Sequence, residues 1–583
     1  MKKFLFLCLM SISFLLSGYD FYLDSTKMPF PGDWRVFNKA FLAAQKKGSL
    51  ASGEYTIPAG GKYYIWVENF SFGDNWRKTS VIIAGRNVGK AGDEKSDTIE
   101  RYPASLWSRI PAIVDLKAGK VEIQIRAESP NSRVGRILFT TDAKFIPDNK
   151  KGLPETFATE LLSDSKSDFD STLDFKVTLN KSMVSYQLDE PIVFTIDPQC
   201  NGKTVDKGFV AYTLSADYGK KEKKTVECDG RPVVITTSMS KPGFVRLQAE
   251  LLDSKMRPVV TLDENGKARR PVFNGGAGVA IDRIPSLPEP PDFDAFWARH
   301  KARLNDVPLK PEITSRGSVQ GGKYNCFSVS APCPGPSYKG EAPRPMTGIY
   351  SIPAGAAPKS LKARLMLPGY GGRGGEKKQM GGKAGYIYMA INAHGMEIGR
   401  EKKYYDDFAA SRAHYAFFDG ADVENCYFNG MVLRLLRALE FLRSLPEWNG
   451  KDLEVCGGSQ GGLHALWAAG LDPQVTLCIA RIPWACNMGE TSLGLMGRDY
   501  VSLRYAKGRE YYDPVNFAKR ITCPVNISRA GMGDYTCPPS GVARVYYNLN
   551  CPKEITWVQN SDHSENFSPE NDKVRYINDK IEE

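Results

Sequence analysis

One stretch constrains the fold of this chain more than any other. Leu453-Glu454-Val455-Cys456 is a short strand-like run, and Gly457-Gly458-Ser459-Gln460-Gly461-Gly462 follows it directly. Leu463–Ala469 then continues in helix-compatible residues. A strand that becomes a helix through so few residues strains its turn, and flanking glycines relieve the steric conflict. Strand, turn and helix around G-x-S-x-G form a nucleophile elbow, which makes Ser459 the candidate nucleophile. A nucleotide-binding turn would instead carry a Walker lysine or G-x-G-x-x-G, and neither is present.

The surroundings fit that setting. Strand candidates Leu365–Tyr370, Tyr386–Asn392, Leu477–Arg481, Pro524–Arg529 and Glu554–Val558 alternate with helical segments. Among these, Asp292–Leu304 and Met431–Leu445 read as helices, the second amphipathic by its periodicity. Alternation of this kind predicts a parallel α/β sheet, here an α/β-hydrolase catalytic domain over residues 285–583.

A serine hydroxyl needs a base, and the chain has five histidines: His300, His394, His414, His464 and His563. The base follows the serine and the acid in this fold, so only His464 and His563 qualify. His464 lies five residues along the same helix, about 140° around its axis, and cannot reach back. His563, in a loop after the last strand candidate, remains. Asp534 is the preferred acid, because it follows Pro524–Arg529 at the strand end where such sites gather. Asp513, before Pro514, reads as a turn cap. Asp562 adjoins His563, and neighbouring side chains on an extended strand diverge. The oxyanion donors are expected to be the backbone N–H groups of Gln460 and of Tyr370, which follows an early strand.

Upstream, the text is different. Residues 19–155 contain short strand-like runs such as Tyr63–Val67, Ser80–Ile83, Val121–Arg126 and Arg136–Thr140, which suggest a jelly-roll-like β domain. Residues 165–284 repeat the style from Phe175–Leu179 to Val245–Leu251, which suits an immunoglobulin-like β-sandwich. Two β-sandwich domains thus precede the hydrolase. A Pro-rich joint from Pro285 to Pro291 reads as a stiff extended linker. Trp66 and Trp76 are candidates for stacking on a sugar, with core packing the commoner role for Trp66.

Residues 1–18 have two lysines, a short apolar core and a small-residue end, the pattern of a cleaved signal peptide for a secreted or periplasmic protein. The apolar run is too short to span a membrane, so no stable membrane insertion is expected. The formal charge of +11 is dispersed apart from Lys220, Lys221, Lys223 and Lys224, which read as a solvated hairpin tip. No nucleic-acid module is visible. The twelve cysteines form no C-x-x-C pair, so no metal and no cofactor is expected. Cys200 and Cys228 are the pair placed to cross-link a β domain, although buried free thiols are common.

Several blocks in order resemble one family. These are Phe293-Asp294-Ala295-Phe296-Trp297, Gly369-Tyr370-Gly371-Gly372, Arg437-Ala438-Leu439-Glu440, the Gly457–Gly462 elbow, Asp513-Pro514-Val515-Asn516-Phe517-Ala518, and Asp534 with Cys537-Pro538-Pro539-Ser540. Together residues 287–583 resemble the acetyl xylan esterase / cephalosporin C deacetylase family, carbohydrate esterase family 7. The resemblance implies a metal-free serine esterase that deacetylates sugars, with Ser459, Asp534 and His563 as the triad and Tyr370 and Gln460 as oxyanion donors. It implies an acetylated carbohydrate partner and, in many members, a homo-oligomer ring that the extra β domains would block or redirect. The chain departs from the family at Pro368, where many members have His, at Asn392-Ala393-His394-Gly395, and at Ser564 between His563 and Glu565. His394 is therefore a candidate for the substrate pocket. Two other readings stay open, a prolyl-oligopeptidase-type peptidase and a carbohydrate-binding protein with an inert hydrolase domain; the complete triad argues against the second.

Overall fold

A computed structural model describes residues 21–581 apart from 31–33, 38–40, 45, 72–77, 92–103, 129–131, 146, 148–172, 220, 255, 257, 258, 260, 263–267, 270, 337–340, 372–378, 413, 414, 418–421, 497–507 and 564–572. The signal-like segment, Trp76, His414, Ser564 and Glu565 lie outside the described residues. The chain divides into two compact units, Met1–Leu173 with Leu252–Pro271, and Asp174–Leu251 with Val272–Glu583.

The first unit is built from strands with alternating burial. In Leu50–Ile57 every second residue, Ala51, Gly53, Tyr55 and Ile57, is buried, as a strand with one face on a core requires. This strand belongs to a four-stranded sheet, and Gly61–Ser71 to a six-stranded one. Tyr63, Ile65 and Val67 share a core with Tyr55, Ile57, Ile123 and Ile125, so the two sheets pack their apolar faces together. Trp66 points the other way, into a small cluster with Tyr22, Trp107 and Leu138.

The second unit begins with two four-stranded sheets. Ile192–Cys200 pairs with Val233–Thr237 in one. The other runs in the order Glu222–Glu227, Phe209–Ala216, Gly243–Leu252, Val272–Val279. Lys223 and Lys224 are in the body of a strand, opposite Thr213 and Tyr212, rather than at a hairpin tip. The two side chains point to opposite faces of the strand and both are exposed, because neither face is covered there. No disulfide joins Cys200 and Cys228, so the cross-link is not formed.

The rest of the unit is an eleven-stranded sheet. Its centre is six parallel strands, in the order Tyr386–Asn392, Leu361–Leu367, Trp448–Gly458, Leu477–Arg481, Val525–Gly531, Lys553–Val558. Antiparallel strands flank this block on both edges. Helix Gln460–Leu471 packs on Trp448–Gly458 and Leu477–Arg481. This is the α/β-hydrolase arrangement.

Two local expectations change. Helix Tyr427–Ser444 is buried almost all round rather than on one face, because it packs against the sheet and against two other helices. Its buried Arg437 is held by the carbonyls of Leu304 and Val307 at 2.8 and 2.7 Å and by Glu440. The Pro-rich joint is extended but is not a free spacer. Asn487 Nδ2 donates to the Pro285 carbonyl at 2.9 Å, Leu287 fills the space a side chain at Gly489 would need, and Glu289 pairs with Arg520 and Lys519.

Candidate active site

Parallel strands set the site. Ser459, Asp534 and His563 all follow the carboxyl ends of strands in the central block, as does the Gly369–Gly371 turn after Leu361–Leu367. Ligands bind in such sheets beyond those ends.

Ser459 has φ 56° and ψ −120°, a conformation that side-chain-bearing residues rarely adopt. The surroundings hold it there. Its N–H donates to the Arg481 carbonyl at 3.0 Å, and its carbonyl accepts from Leu463 and Trp484 at 3.1 and 3.0 Å. The glycines are needed for closeness. A methyl group at Gly457 would sit 2.5 Å from Gly461 backbone, and one at Gly461 would sit 2.3 Å from the Leu367 carbonyl oxygen. The elbow thus packs directly on the strand that leads to Tyr370.

Gln460 is the first residue of its helix, so its N–H has no intrahelical acceptor and is available to a ligand. Its side chain is buried and its Oε1 accepts from Tyr415 Oη. The Tyr415 ring stacks on Tyr370 at 4.7 Å, and Trp484 meets Tyr370 edge-on at 5.3 Å. Tyr415 and Trp484 carry no sequence signal beyond being aromatic, yet they fix the wall between the two oxyanion candidates.

His394 is buried beneath this turn. Its Nε2 is 3.0 Å from the Gly371 carbonyl and its Nδ1 2.9 Å from Tyr427 Oη. Burial, with Arg434 nearby, pushes its pKa down to about 3, so the ring is neutral. A neutral ring with Nε2–H donating to Gly371 and Nδ1 accepting from Tyr427 satisfies both partners. Both nitrogens face protein groups in this arrangement. His464 is fully buried, stacked on Trp467. His300 sits in helix Phe293–Asn305, bonded to Asn429 and paired with Glu424 at 3.0 Å.

Asp534 and His563 are brought together. Asp534 Oδ2 lies 2.9 Å from His563 Nδ1, and its Oδ1 accepts from the N–H groups of Thr536 and Cys537, each at 3.0 Å. The carboxylate is buried, so these bonds fix it in one orientation. With Nδ1–H held by Asp534, Nε2 is left unprotonated, the tautomer a general base requires. Burial lowers the His563 pKa, but the hydrogen bond and charge of Asp534 outweigh it and the net shift is upward. Asp513 caps helix Pro514–Ala518 through Val515 N–H, consistent with its turn-cap reading.

Among the described residues Ser459 Oγ makes no hydrogen bond to His563. Such bonds are often long without substrate and tighten in the Michaelis complex. Asp534, Cys537 and His563 also place an oxygen, a sulfur and a nitrogen within 4.8 Å of one another, the one such trio among the described residues. Two of the three are already committed to the acid–base hydrogen bond.

The family model for acetyl xylan esterase (AXE1) matches residues 283–580, just over half of the chain. The chain belongs to this family. This esterase is therefore a carboxylic ester hydrolase. It is 27% identical over 377 residues to acetyl esterase Axe7A of Xylanibacter ruminicola, covering 61% of this chain and 79% of that protein. Among solved structures, the acetyl xylan esterase from Paenibacillus sp. R4 is 26% identical with a TM-score of 0.40. Acetyl xylan esterase 1 from Thermoanaerobacterium sp. JW/SL YS485 is 20% identical with a TM-score of 0.38. Each match covers 48% of this chain and 92% of the other.

Proposed function

We propose that the chain removes acetyl groups from acetylated polysaccharides or oligosaccharides such as xylan, by a Ser-His-Asp acyl-enzyme mechanism. The observation that carries this reading is the 2.9 Å Asp534–His563 bond at the same carboxyl end of the parallel strands as the strained Ser459 elbow. Ser459 Oγ attacks the acetyl carbonyl carbon while His563 Nε2 takes the hydroxyl proton. The N–H groups of Gln460 and Tyr370 hold the oxyanion. The tetrahedral intermediate collapses, the sugar oxygen leaves with the proton from His563, and acetyl-Ser459 remains. Water, deprotonated by His563, then releases acetate and restores the serine. Asp534 keeps the imidazole in its tautomer and stabilises its charged form.

The choice of acetyl is supported by the family membership and by the name of the Xylanibacter relative. The signal-like residues 1–18 support export to the periplasm or medium. The paired sheets of the first unit support a jelly-roll-like module, and those of residues 174–279 an immunoglobulin-like one. Homo-oligomer formation belongs to the same reading.

Ser459→Ala is the test. Acetate release from p-nitrophenyl acetate and from acetylated xylan should fall to background in the variant. Retained hydrolysis would remove Ser459 from the mechanism, and wild-type protein that cleaved peptide amides but released no acetate would replace the substrate class.

A further inference from the structure

We propose that strand Val272–Val279, which precedes the esterase core, is a positioning element of its acid–base pair, acting through Asn274 and Gln559. The proposal rests on the Ser459–His563–Asp534 reading above.

The strand is the last in its four-stranded sheet and pairs within it only with Gly243–Leu252. On its other side Gly278 N–H bonds the Met183 carbonyl, while Asn274 and Gly276 meet the two loops that carry Asp534 and His563. Gln559 acts as a one-residue strand neighbour, with Oε1 accepting from Gly276 N–H and Nε2 donating to the Gly276 carbonyl, each at 2.8 Å. Asn274 does more. Its N–H donates to Asn560 Oδ1 at 2.9 Å, and its carbonyl accepts from Ser561 N–H at 3.1 Å. Its Nδ2 donates to the Gly533 carbonyl at 2.9 Å, and its Oδ1 accepts from Arg246 Nε at 3.0 Å. Gly533 immediately precedes Asp534, and Ser561 is two residues before His563. The loops are tied to each other as well, by Gly533 N–H on the Ser561 carbonyl at 3.0 Å.

The fit leaves no slack. A methyl group at Gly275 would lie 2.0 Å from Gln559 Oε1, and one at Gly533 would lie 2.1 Å from the Asn274 carbonyl oxygen. The buried Arg246 guanidinium lies 4.1 Å from the centre of the ring of Tyr535, the residue after Asp534. A contact that served only to glue one sheet to another could fall anywhere on the surface. Here one residue, Asn274, is bonded to both loops, so the separation of the acid from the base is set through it. Displacements near 1 Å in such positions cost about a hundredfold in rate.

The test uses the full chain, with p-nitrophenyl acetate as substrate. Asn274→Ala and Gln559→Leu should each lower kcat about tenfold or more, with KM changed less than about threefold. The acid limb of kcat/KM should move to lower pH, because a loosened Asp534 no longer holds up the His563 pKa. A variant that merely weakened the fold would melt earlier but would keep the wild-type limb in its folded fraction. Folded variants with wild-type kcat and an unmoved limb would overturn the proposal. If Asn274→Ala gives no folded protein, Asn560→Gly, which removes one bond to Asn274, carries the same two readouts. Ser459→Ala run alongside separates the failures. Activity in that variant refutes the triad itself, whereas its loss beside unaffected Asn274 and Gln559 variants refutes only the positioning role.

Discussion

Gly461 lies so close to Leu367 that a methyl group on its Cα would sit 2.3 Å from the Leu367 carbonyl oxygen. The obstructing atom is backbone, in a strand paired on both sides, so it cannot move aside cheaply. In an exposed helix, Gly→Ala would gain about 1 kcal/mol. Here the clash decides the sign. Gly461→Ala should destabilise by about 1–3 kcal/mol and depress kcat by pushing the elbow away from the Tyr370 turn. Thermal melting and p-nitrophenyl acetate turnover check both effects; an unchanged melting temperature would contradict the packing.

The nucleophile's own backbone is a second place where stability and activity oppose each other. At φ 56° and ψ −120°, Ser459 carries strain of about 1–3 kcal/mol. Ser459→Gly should abolish turnover and raise the melting temperature, whereas Ser459→Ala should abolish turnover without the full gain. A Gly variant less stable than the Ala variant would show that the elbow is not strained.

The pH profile follows from His563. As the base it works only when neutral, and Asp534 holds its pKa above the ordinary imidazole value of about 6.5. The rate should therefore rise with pH along a limb lying above that value. Asp534→Asn removes the bond and charge that raise the pKa, so the limb should shift to lower pH while kcat falls by about 10⁴. The linked stability runs the other way: the raised folded pKa stabilises fully below the unfolded value, and that contribution is lost as pH rises through the folded value. A limb that stayed in place in Asp534→Asn would assign it to another group.

Cations supply a fourth test. A thiophilic ion such as Cd²⁺ would compete for Cys537 Sγ, His563 Nδ1 and the Asp534 carboxylate. It should inhibit reversibly, a chelator should restore the rate, and Cys537→Ser should weaken inhibition by about tenfold. Chelator alone should leave the untreated enzyme unaffected. Activity lost to chelator alone would sink a metal-free mechanism.

Much of this architecture is legible in the sequence. Strands Tyr386–Asn392 and Leu477–Arg481 occur where the apolar runs place them, because buried parallel strands are continuous apolar text bounded by turn residues. The Asp534–His563 pairing follows from chain order and a short histidine list. Strand Val272–Val279 is hidden by its own composition: after Phe273, the run Asn274-Gly275-Gly276-Ala277-Gly278 has no β-branched or aromatic residue. Its glycines are there for close approach to Val245 and Gln559 instead. Tyr415 and Trp484 are equally silent, since an aromatic residue that shapes a site and one that fills a core are the same letter. His394 stands out as a change in a motif, but its bonds to Gly371 and Tyr427 depend on three distant segments meeting.

The prolines at 285–291 look like the natural place to cut when moving the catalytic module onto another protein. They are the wrong seam. A fragment starting there would strip Gln559, Asn560 and Gly533 of their partners on Val272–Val279 and leave them to water. The compact unit that holds the site reaches back to Asp174, and fusion designs should treat its β sheets as part of the cargo.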